Sequence, residues 1–102
     1  VSEVLPQEKL IERALDIANE FTSESSQISI ALTRQMMWRM LGADDPMEAH
    51  KIDSRGVYEL GQSAEAIEGV KSFLEKRSPS FPGKVSKDMP SFYPWWSEKE
   101  FE

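Results

Sequence analysis

The stretch "SQISIALTRQMMWRMLG", residues 26–42, predicts a helix with two apolar stripes. The first stripe consists of Ile28, Leu32, Met36 and Met40. The second lies on nearly the opposite side and consists of Ile30, Met37 and Leu41. A helix that is apolar around its circumference is normally packed on both sides, and so short a chain has little material to cover both. The methionines and Trp38 could line a ligand cavity, but packing in a core or a subunit interface is the favoured interpretation.

The residues before this helix predict another helix, with one buried face. Pro6 suits an opening helical turn. The apolar residues of one arc are Leu10, Ile11, Ala14, Leu15, Ile17, Ala18 and Phe21. The hydroxyl side chains of residues 22–26 compete for the backbone, so we expect the first helix to end there and one of them to cap the next. Gly42 is expected to end the second helix in a left-handed conformation.

A third helix has clear start signals, with Asp45 at the N-cap and Pro46 at the first helical position. Asp53 falls inside the apolar arc of this helix, where a structural ion pair is favoured over catalysis. If Asp53 is buried, we expect Arg34 or Arg39 to pair with it.

A fourth helix is predicted after Ser63, which can cap it. Its apolar side consists of Ile67, Val70, Phe73 and Leu74. Gly69 within this helix costs about 1 kcal/mol relative to alanine, which indicates close backbone packing. The predicted fold class is therefore all-α, with four amphipathic helices followed by an irregular tail.

The tail is rich in proline and aromatic residues. Prolines stand at positions 79, 82, 90 and 94, and "FYPWW" spans residues 92–96. We divide the chain into a helical segment, residues 1–78, and an irregular docking tail, residues 79–102. Aromatic residues at this density need a surface to cover them. Because Glu98, Glu100 and Glu102 follow directly, docking on protein is favoured over a membrane interface.

The composition argues against several classes of function. Twelve Lys and Arg against 18 Asp and Glu give a net charge of −6, which disfavours nonspecific binding to nucleic acid. The chain has no cysteine and a single histidine, His50, so we expect neither thiolate chemistry nor a metal site. We expect no membrane span and no signal peptide, because no long apolar run is present. A cytoplasmic location fits the absence of cysteine.

Two pairs of acidic residues have the composition that acid–base catalysis uses. Glu65 with Glu68, and Glu12 with Asp16, lie on the polar faces of their helices. Catalysis needs enclosed carboxylates with perturbed pKa values, so we predict all four to be solvated surface groups. We predict no catalytic residue in this chain.

The segment "FLEKRSPSFPGK", residues 73–84, leaves the helical pattern but retains an aromatic residue and a lysine. Phe81 can stack on a planar ring, and Lys84, beside Gly83, can reach a phosphate. The spacing alone leaves a plain surface loop as the alternative.

Three stretches in order, "ALTRQMMWRML", "DPMEAHKIDSR" and "ELGQSAEAIEGVKSFLEKRSPSFPGKVSKDMPSFYPWW", resemble the C-terminal segment of the enoyl-CoA hydratase/isomerase family, the crotonase superfamily. The resemblance runs from about Leu5 to Trp96 and is most specific from Ser63 to Lys84. It implies a longer enzyme whose N-terminal core of repeated ββα units supplies the oxyanion hole and usually the catalytic carboxylates. Neither is present here, so this segment alone is expected to be inactive.

The resemblance also implies a role for these helices. In the family they pack on the core of their own or a neighbouring subunit, cover the acyl-CoA site and support trimers, often paired into hexamers. For the fragment we expect a homo-oligomer, a dimer or higher. Phe81 and Lys84 match the family's aromatic and basic pair and by resemblance contact the adenine and phosphate end of coenzyme A. The CoA thioester is then the substrate of the whole enzyme, and no prosthetic group is expected.

A second hypothesis comes from another class of protein. The chain would be a free-standing helical interaction module whose aromatic tail binds a partner protein. The first hypothesis expects a catalytic core upstream in the same reading frame, and the second expects a start codon close to Val1.

Overall fold

The computed structural model describes residues 1–101, and the all-α prediction is confirmed. A short 3₁₀ turn at Gln7–Lys9 leads into the first helix. The four α-helices are α1 (Leu10–Thr22), α2 (Gln27–Met40), α3 (Pro46–Gly61) and α4 (Ala64–Glu75). Residues 1–101 contain no β-strand, and none of their helices has the length and apolarity needed to cross a bilayer.

Side chains predicted to cap three of the helices do so. The Ser26 hydroxyl accepts a hydrogen bond from the Ser29 N–H at 3.3 Å, at the start of α2. Asp45 Oδ1 accepts from the Met47 N–H at 2.8 Å, with Pro46 in the first turn of α3. Each bond satisfies one of the amide groups that a helix start leaves without a partner. Ser63 caps α4 in the same way.

The Asp45→Ala substitution should lower the free energy of unfolding by about 1 kcal/mol, because the Met47 N–H loses its acceptor. Denaturant unfolding of the protein measures the change. Asp44→Ala is the matched control, since it removes the same charge one residue earlier and should be close to neutral. Equal losses in the two variants would contradict a capping role for Asp45.

The core is small and lies between α2 and α3. Ile28 and Leu32 of α2 are 2% and 4% exposed. Ile52 of α3 is buried as well, with 9% of its surface exposed. Gly56 allows the two helices to approach closely, because a Cβ atom there would lie 3.3 Å from Cδ2 of Leu32 and 4.0 Å from Cζ of Phe92. Phe92 thus brings the tail back onto the helices.

The chain exposes far more surface than a folded monomer of its size. Its accessible area is 8505 Å², whereas a monomer of 11.7 kDa is expected to expose about 5,900 Å². Its radius of gyration is 16.7 Å, against about 13 Å for a compact domain of this length. The helices are therefore splayed rather than closed around one core.

The excess surface lies on helix faces that the sequence predicted to be buried. On α1 the arc is uncovered within this chain, and its exposed large side chains are Leu10, Ile11, Leu15 and Phe21. On α4 the whole apolar side points outward: Ile67, Val70, Phe73 and Leu74. We predicted one buried face for α1, and within residues 1–101 that prediction is wrong. The periodicity shows which residues share a face, but it does not show whether that face is covered.

The two stripes of α2 have different surroundings. Ile28 and Leu32 of the first stripe are buried, and Met36 and Met40 are half-buried. In the second stripe, Met37 and Leu41 are exposed and Ile30 is half-buried, and Trp38 beside it is exposed as well. The described chain therefore covers one stripe and leaves most of the other open.

The end of α2 differs from the prediction. No glycine in residues 1–101 has a positive φ, so Gly42 does not adopt the left-handed conformation that we expected. Leu41 follows the helix with right-handed helical angles instead.

The tail contacts α2 and α3 through polar as well as aromatic groups. Glu59 of α3 accepts hydrogen bonds from the N–H and the hydroxyl of Ser91, each at 2.7 Å. The Arg39 guanidinium of α2 lies 4.1 Å from the centre of the Trp96 ring. Glu98 accepts from the Trp96 indole N–H at 2.6 Å and from Arg39 at 3.2 Å. The division into residues 1–78 and 79–102 stays a prediction.

Candidate functional site

The segment that carries Phe81 and Lys84 runs back along α4. The reversal begins at Lys76, a non-glycine residue with φ 53°, where the Lys76 N–H bonds the Phe73 carbonyl and the Arg77 N–H bonds the Ser72 carbonyl. This pattern satisfies carbonyl groups at the helix end and turns the chain. Residues 77–84, which we call the return loop, then lie against the helix that precedes them.

Two glutamates of α4 hold the return loop. Glu68 accepts two hydrogen bonds from the Arg77 guanidinium, at 2.6 and 2.9 Å, and one from the Ser80 N–H at 2.6 Å. Glu65, one turn earlier, accepts from the Gly83 N–H at 2.7 Å through Oε1. Bonds to a charged acceptor are stronger than those between neutral groups. The loop backbone is therefore fixed at two points three residues apart.

These contacts correct our interpretation of the two glutamates. We predicted solvated surface carboxylates, but Glu65 is 6% exposed and the side chain of Glu68 is 16% exposed. Their partners lie up to 18 residues later in the chain, so helical periodicity did not reveal them. Both act on the backbone of the return loop, which is a structural role.

Gly83 is held where a larger residue would force its neighbours or the loop to move. A Cβ atom at this position would overlap Cδ1 of Ile28 and would lie 2.8 Å from Oε1 of Glu65. The backbone thus passes between a core side chain of α2 and the carboxylate of α4. This close approach sets the position of Lys84, which follows directly.

Phe81 is half-buried against α4. Its Cε1 lies 3.8 Å from the place of a Cβ atom on Gly69, which is van der Waals distance. An alanine would therefore fit at Gly69 in ordinary contact with Phe81, so the close backbone packing that we predicted there is not observed. The ring also lines a groove between α2, α3 and α4.

Lys84 is exposed, and its side chain forms no ion pair with the described residues. Its backbone is ordered by a turn, because the Lys84 N–H donates to Asp88 Oδ2 at 2.8 Å and its carbonyl accepts from the Asp88 N–H at 2.8 Å. The ammonium group is thus available to an anion while its backbone is fixed. The ammonium group of a lysine is a compact point charge that is able to bind a phosphate.

Other predicted site residues lie apart from this loop. Asp53 is exposed and has no ion-pair partner among residues 1–101, since Arg39 pairs with Glu98 instead. His50 is exposed on α3. In the described part of the chain, no three His, Asp or Glu side chains converge as metal ligands would. The return loop therefore carries an exposed lysine three residues after a half-buried aromatic ring.

The pKa of Glu68 is lowered from its ordinary 4.5 to about 2. The main cause is hydrogen bonding from Arg77, and the second is the hydrogen bond from the Ser80 N–H. A carboxylate with a lowered pKa in the folded state stabilises the protein fully above its ordinary pKa. That stabilisation is lost as the pH falls toward the folded-state pKa. Stability in this window should therefore rise with pH.

The Glu68→Gln substitution should flatten the pH dependence of unfolding between pH 4.5 and pH 2. Denaturant midpoints of the complete protein at stepped pH values measure this slope. Glu12→Gln on α1 is the control and should keep the wild-type slope. If Glu68→Gln also keeps it, the ion pair with Arg77 does not contribute to folding.

Comparison with known proteins identifies the family. The sequence model of the enoyl-CoA hydratase/isomerase family matches residues 1–84, from before α1 to Lys84. The chain belongs to this family. A protein named enoyl-CoA hydratase ACTT3 from Alternaria alternata is 41% identical over 78 residues, which is 76% of this chain and 26% of that protein.

Two further members of the enoyl-CoA hydratase/isomerase family give similar values. Enoyl-CoA hydratase AFT3-1 from Alternaria alternata is 41% identical over 69 residues, 68% of this chain and 23% of its own length. Enoyl-CoA hydratase AKT3-2 from the same organism is 42% identical over 69 residues, with the same shares covered. The chain therefore spans about a quarter of the length of the curated relatives it matches.

Proposed function

We propose that this chain is the C-terminal helical segment of an enoyl-CoA hydratase or isomerase, in which it supports oligomer assembly and covers the acyl-CoA site. The complete enzyme would add water to an enoyl-CoA thioester or move its double bond. The chemical groups for that reaction, a thioester oxyanion hole and carboxylates, would come from an N-terminal crotonase core. The absence of cysteine fits a reducing compartment such as the cytoplasm.

The observation that supports assembly most strongly is the uncovered apolar surface. The outward side of α4 is exposed in this chain, and so are most of the arc of α1 and most of the second stripe of α2. Soluble monomers rarely leave contiguous apolar patches larger than a few hundred Å² open to water. The excess area of roughly 2,600 Å² over a compact monomer is in the range that large permanent interfaces bury. A trimer, or a hexamer of two trimers, would cover these faces with the core and with neighbouring subunits.

The return loop supports the second part of the proposal. Phe81 offers the edge and face of a ring beside the adenine of CoA, and Lys84 offers an ammonium group to a phosphate. Glu65 and Glu68 fix the backbone on both sides of Phe81, so little ordering remains when the ligand binds.

The interaction-module hypothesis has less support. In that hypothesis the aromatic tail binds a partner, but Trp96 already packs with Arg39 and bonds Glu98 within the chain. The family match from residue 1 to residue 84 also favours an enzyme segment.

The Lys84→Ala variant of the complete protein tests the CoA contact. Removing a lysine that bonds a phosphate should weaken binding of CoA about tenfold, because an exposed hydrogen bond to a charged group contributes about 1.5 kcal/mol, the lower end of the usual range. The loss should shrink at high salt, since an exposed charge pair is screened. Titration calorimetry with CoA measures both effects.

Lys87→Ala is the matched control for this experiment. It removes another exposed lysine from the same turn and should change the affinity little. If the two variants bind CoA equally well, Lys84 does not belong to the site.

A further inference from the structure

An open groove of about 730 Å³ lies between the end of α1 and the second stripe of α2. Its large apolar side chains are Phe21, Ile30, Met37 and Trp38, and all but Ile30 are exposed. Phe21 also belongs to the apolar arc of α1, so the groove continues the uncovered surface of that helix. No residue of the return loop lines this groove, so it is separate from Phe81 and Lys84.

The helix α1 has little cover within this chain. None of its 13 residues is buried. Among the described helices, it packs only on the 3₁₀ turn that precedes it and on α2. Isolated helices shorter than about 12–15 residues are marginal in water, and most helical stability in proteins comes from packing of an apolar face. The arc of α1 therefore needs a partner beyond the residues described.

The first residues of the chain run beside α1. Glu3 accepts hydrogen bonds from Nε and Nη2 of Arg13, at 2.9 and 2.7 Å, although the two residues are 10 positions apart. Pro6 and the 3₁₀ turn Gln7–Lys9 lie between them, so the segment before Pro6 folds back along the first turns of α1. Residues that precede Val1 in a longer protein would therefore start close to this helix.

We propose that the segment directly upstream of Val1 in the complete enzyme, which belongs to the same polypeptide, packs on the arc of α1 and fills the groove. The inference rests on the proposed function, in which an N-terminal core precedes this chain. The chain spans about a quarter of the length of the curated relatives it matches, so an enzyme of that length has enough polypeptide to cover both surfaces.

Connectivity favours the chain's own upstream part over a neighbouring copy. Consecutive elements usually pack beside each other, and the connections between them have a median length of about 4–6 residues. The contact between Glu3 and Arg13 holds the upstream chain at α1, so its effective concentration there is high before any subunits associate. Since α1 and α4 do not contact each other, the outward side of α4 remains open to a neighbouring subunit.

Photo-cross-linking in assemblies with mixed isotope labels tests which chain covers α1. In the complete protein, Leu15, an exposed residue of the arc, is replaced by the photoreactive residue p-benzoylphenylalanine. Unlabelled and nitrogen-15-labelled protein are unfolded, mixed and refolded together, and native mass spectrometry checks that the assemblies contain both labels. After irradiation, we expect Leu15 to be linked to residues upstream of Val1, with both linked peptides carrying the same label.

Two other positions complete the experiment. Met37, on the α2 wall of the groove, should give the same result as Leu15 and serves if the Leu15 variant does not fold. Val70, on the outward side of α4, is the control and should give pairs that join an unlabelled and a labelled peptide. Such mixed pairs from Leu15 or Met37, or links from them only to residues 1–102, would overturn the inference.

The outcomes separate this inference from the assembly role. If light scattering shows that the complete protein is a monomer, the assembly role fails, while links from Leu15 to the upstream segment still support the inference. If the protein assembles and Leu15 gives mixed pairs, a neighbouring copy covers α1 and only the inference is wrong.

Discussion

The Gly83→Ala variant of the complete protein should lose CoA affinity by about 10- to 100-fold, more than Lys84→Ala, and should also be less stable. The new Cβ atom would overlap Cδ1 of Ile28 and crowd Oε1 of Glu65. Ile28 is 2% exposed in the core and cannot easily move. We therefore expect the loop to lift, which breaks the bond to Glu65 and displaces both Phe81 and Lys84. Overpacking of this kind costs about 1–3 kcal/mol.

Two measurements check this result, with Gly61→Ala as the control. At Gly61 no atom lies within 4 Å of the added Cβ, so the control should bind CoA and unfold much like the wild type. Calorimetry gives the affinity and denaturant unfolding gives the stability. A Gly83→Ala protein with wild-type CoA affinity would show that the position of the return loop does not matter for the ligand.

The Val70→Asp variant should dissociate the assembled enzyme. Val70 stands on the outward apolar side of α4 and is exposed in this chain, so the aspartate disturbs little of the local fold. In the assembly the same position would be covered, and burying an unpaired carboxylate costs several kcal/mol. An effect of that size changes an association constant by more than a hundredfold.

Light scattering on the complete protein measures the change in mass. His50→Asp is the control, because it also adds one negative charge at an exposed helical position, on α3. We expect His50→Asp to keep the wild-type mass and Val70→Asp to give smaller species. If both variants keep the wild-type mass, the outward side of α4 is not an interface.

Local signals in the sequence predicted the helices well. Asp45, Pro46 and Ser63 mark helix starts because a short polar side chain can accept from the free amides of the first turn, a requirement that depends on neighbouring residues alone. Lys76 shows the limit of this reasoning. It takes the left-handed position that usually belongs to glycine, and the sequence around it gave no sign of that.

Contacts between distant residues were not predictable in the same way. Periodicity showed that Val70 and Phe73 share an apolar face, but the same pattern describes a face covered by this chain or by another one. Glu65 looked like any acidic residue in the first turn of a helix. Its role depends on Gly83, 18 residues later, and only the folded chain brings the two together.

Phe81 and Lys84 were found through the family resemblance. Their spacing alone also fitted a plain surface loop. The structure adds the reason why that loop has a fixed shape, namely the bonds from Ser80 and Gly83 to the two glutamates of α4.

Hydroxyl-radical footprinting of the complete protein tests the central claim most directly, because it measures the exposure of individual side chains in solution. Phe73 and Met37 are 82% and 72% exposed in this chain, on α4 and on the second stripe of α2. If these helices complete a larger assembled enzyme, both residues should be oxidised several-fold more slowly in the native protein than in denaturant. Native oxidation rates equal to those of the unfolded chain would contradict the account.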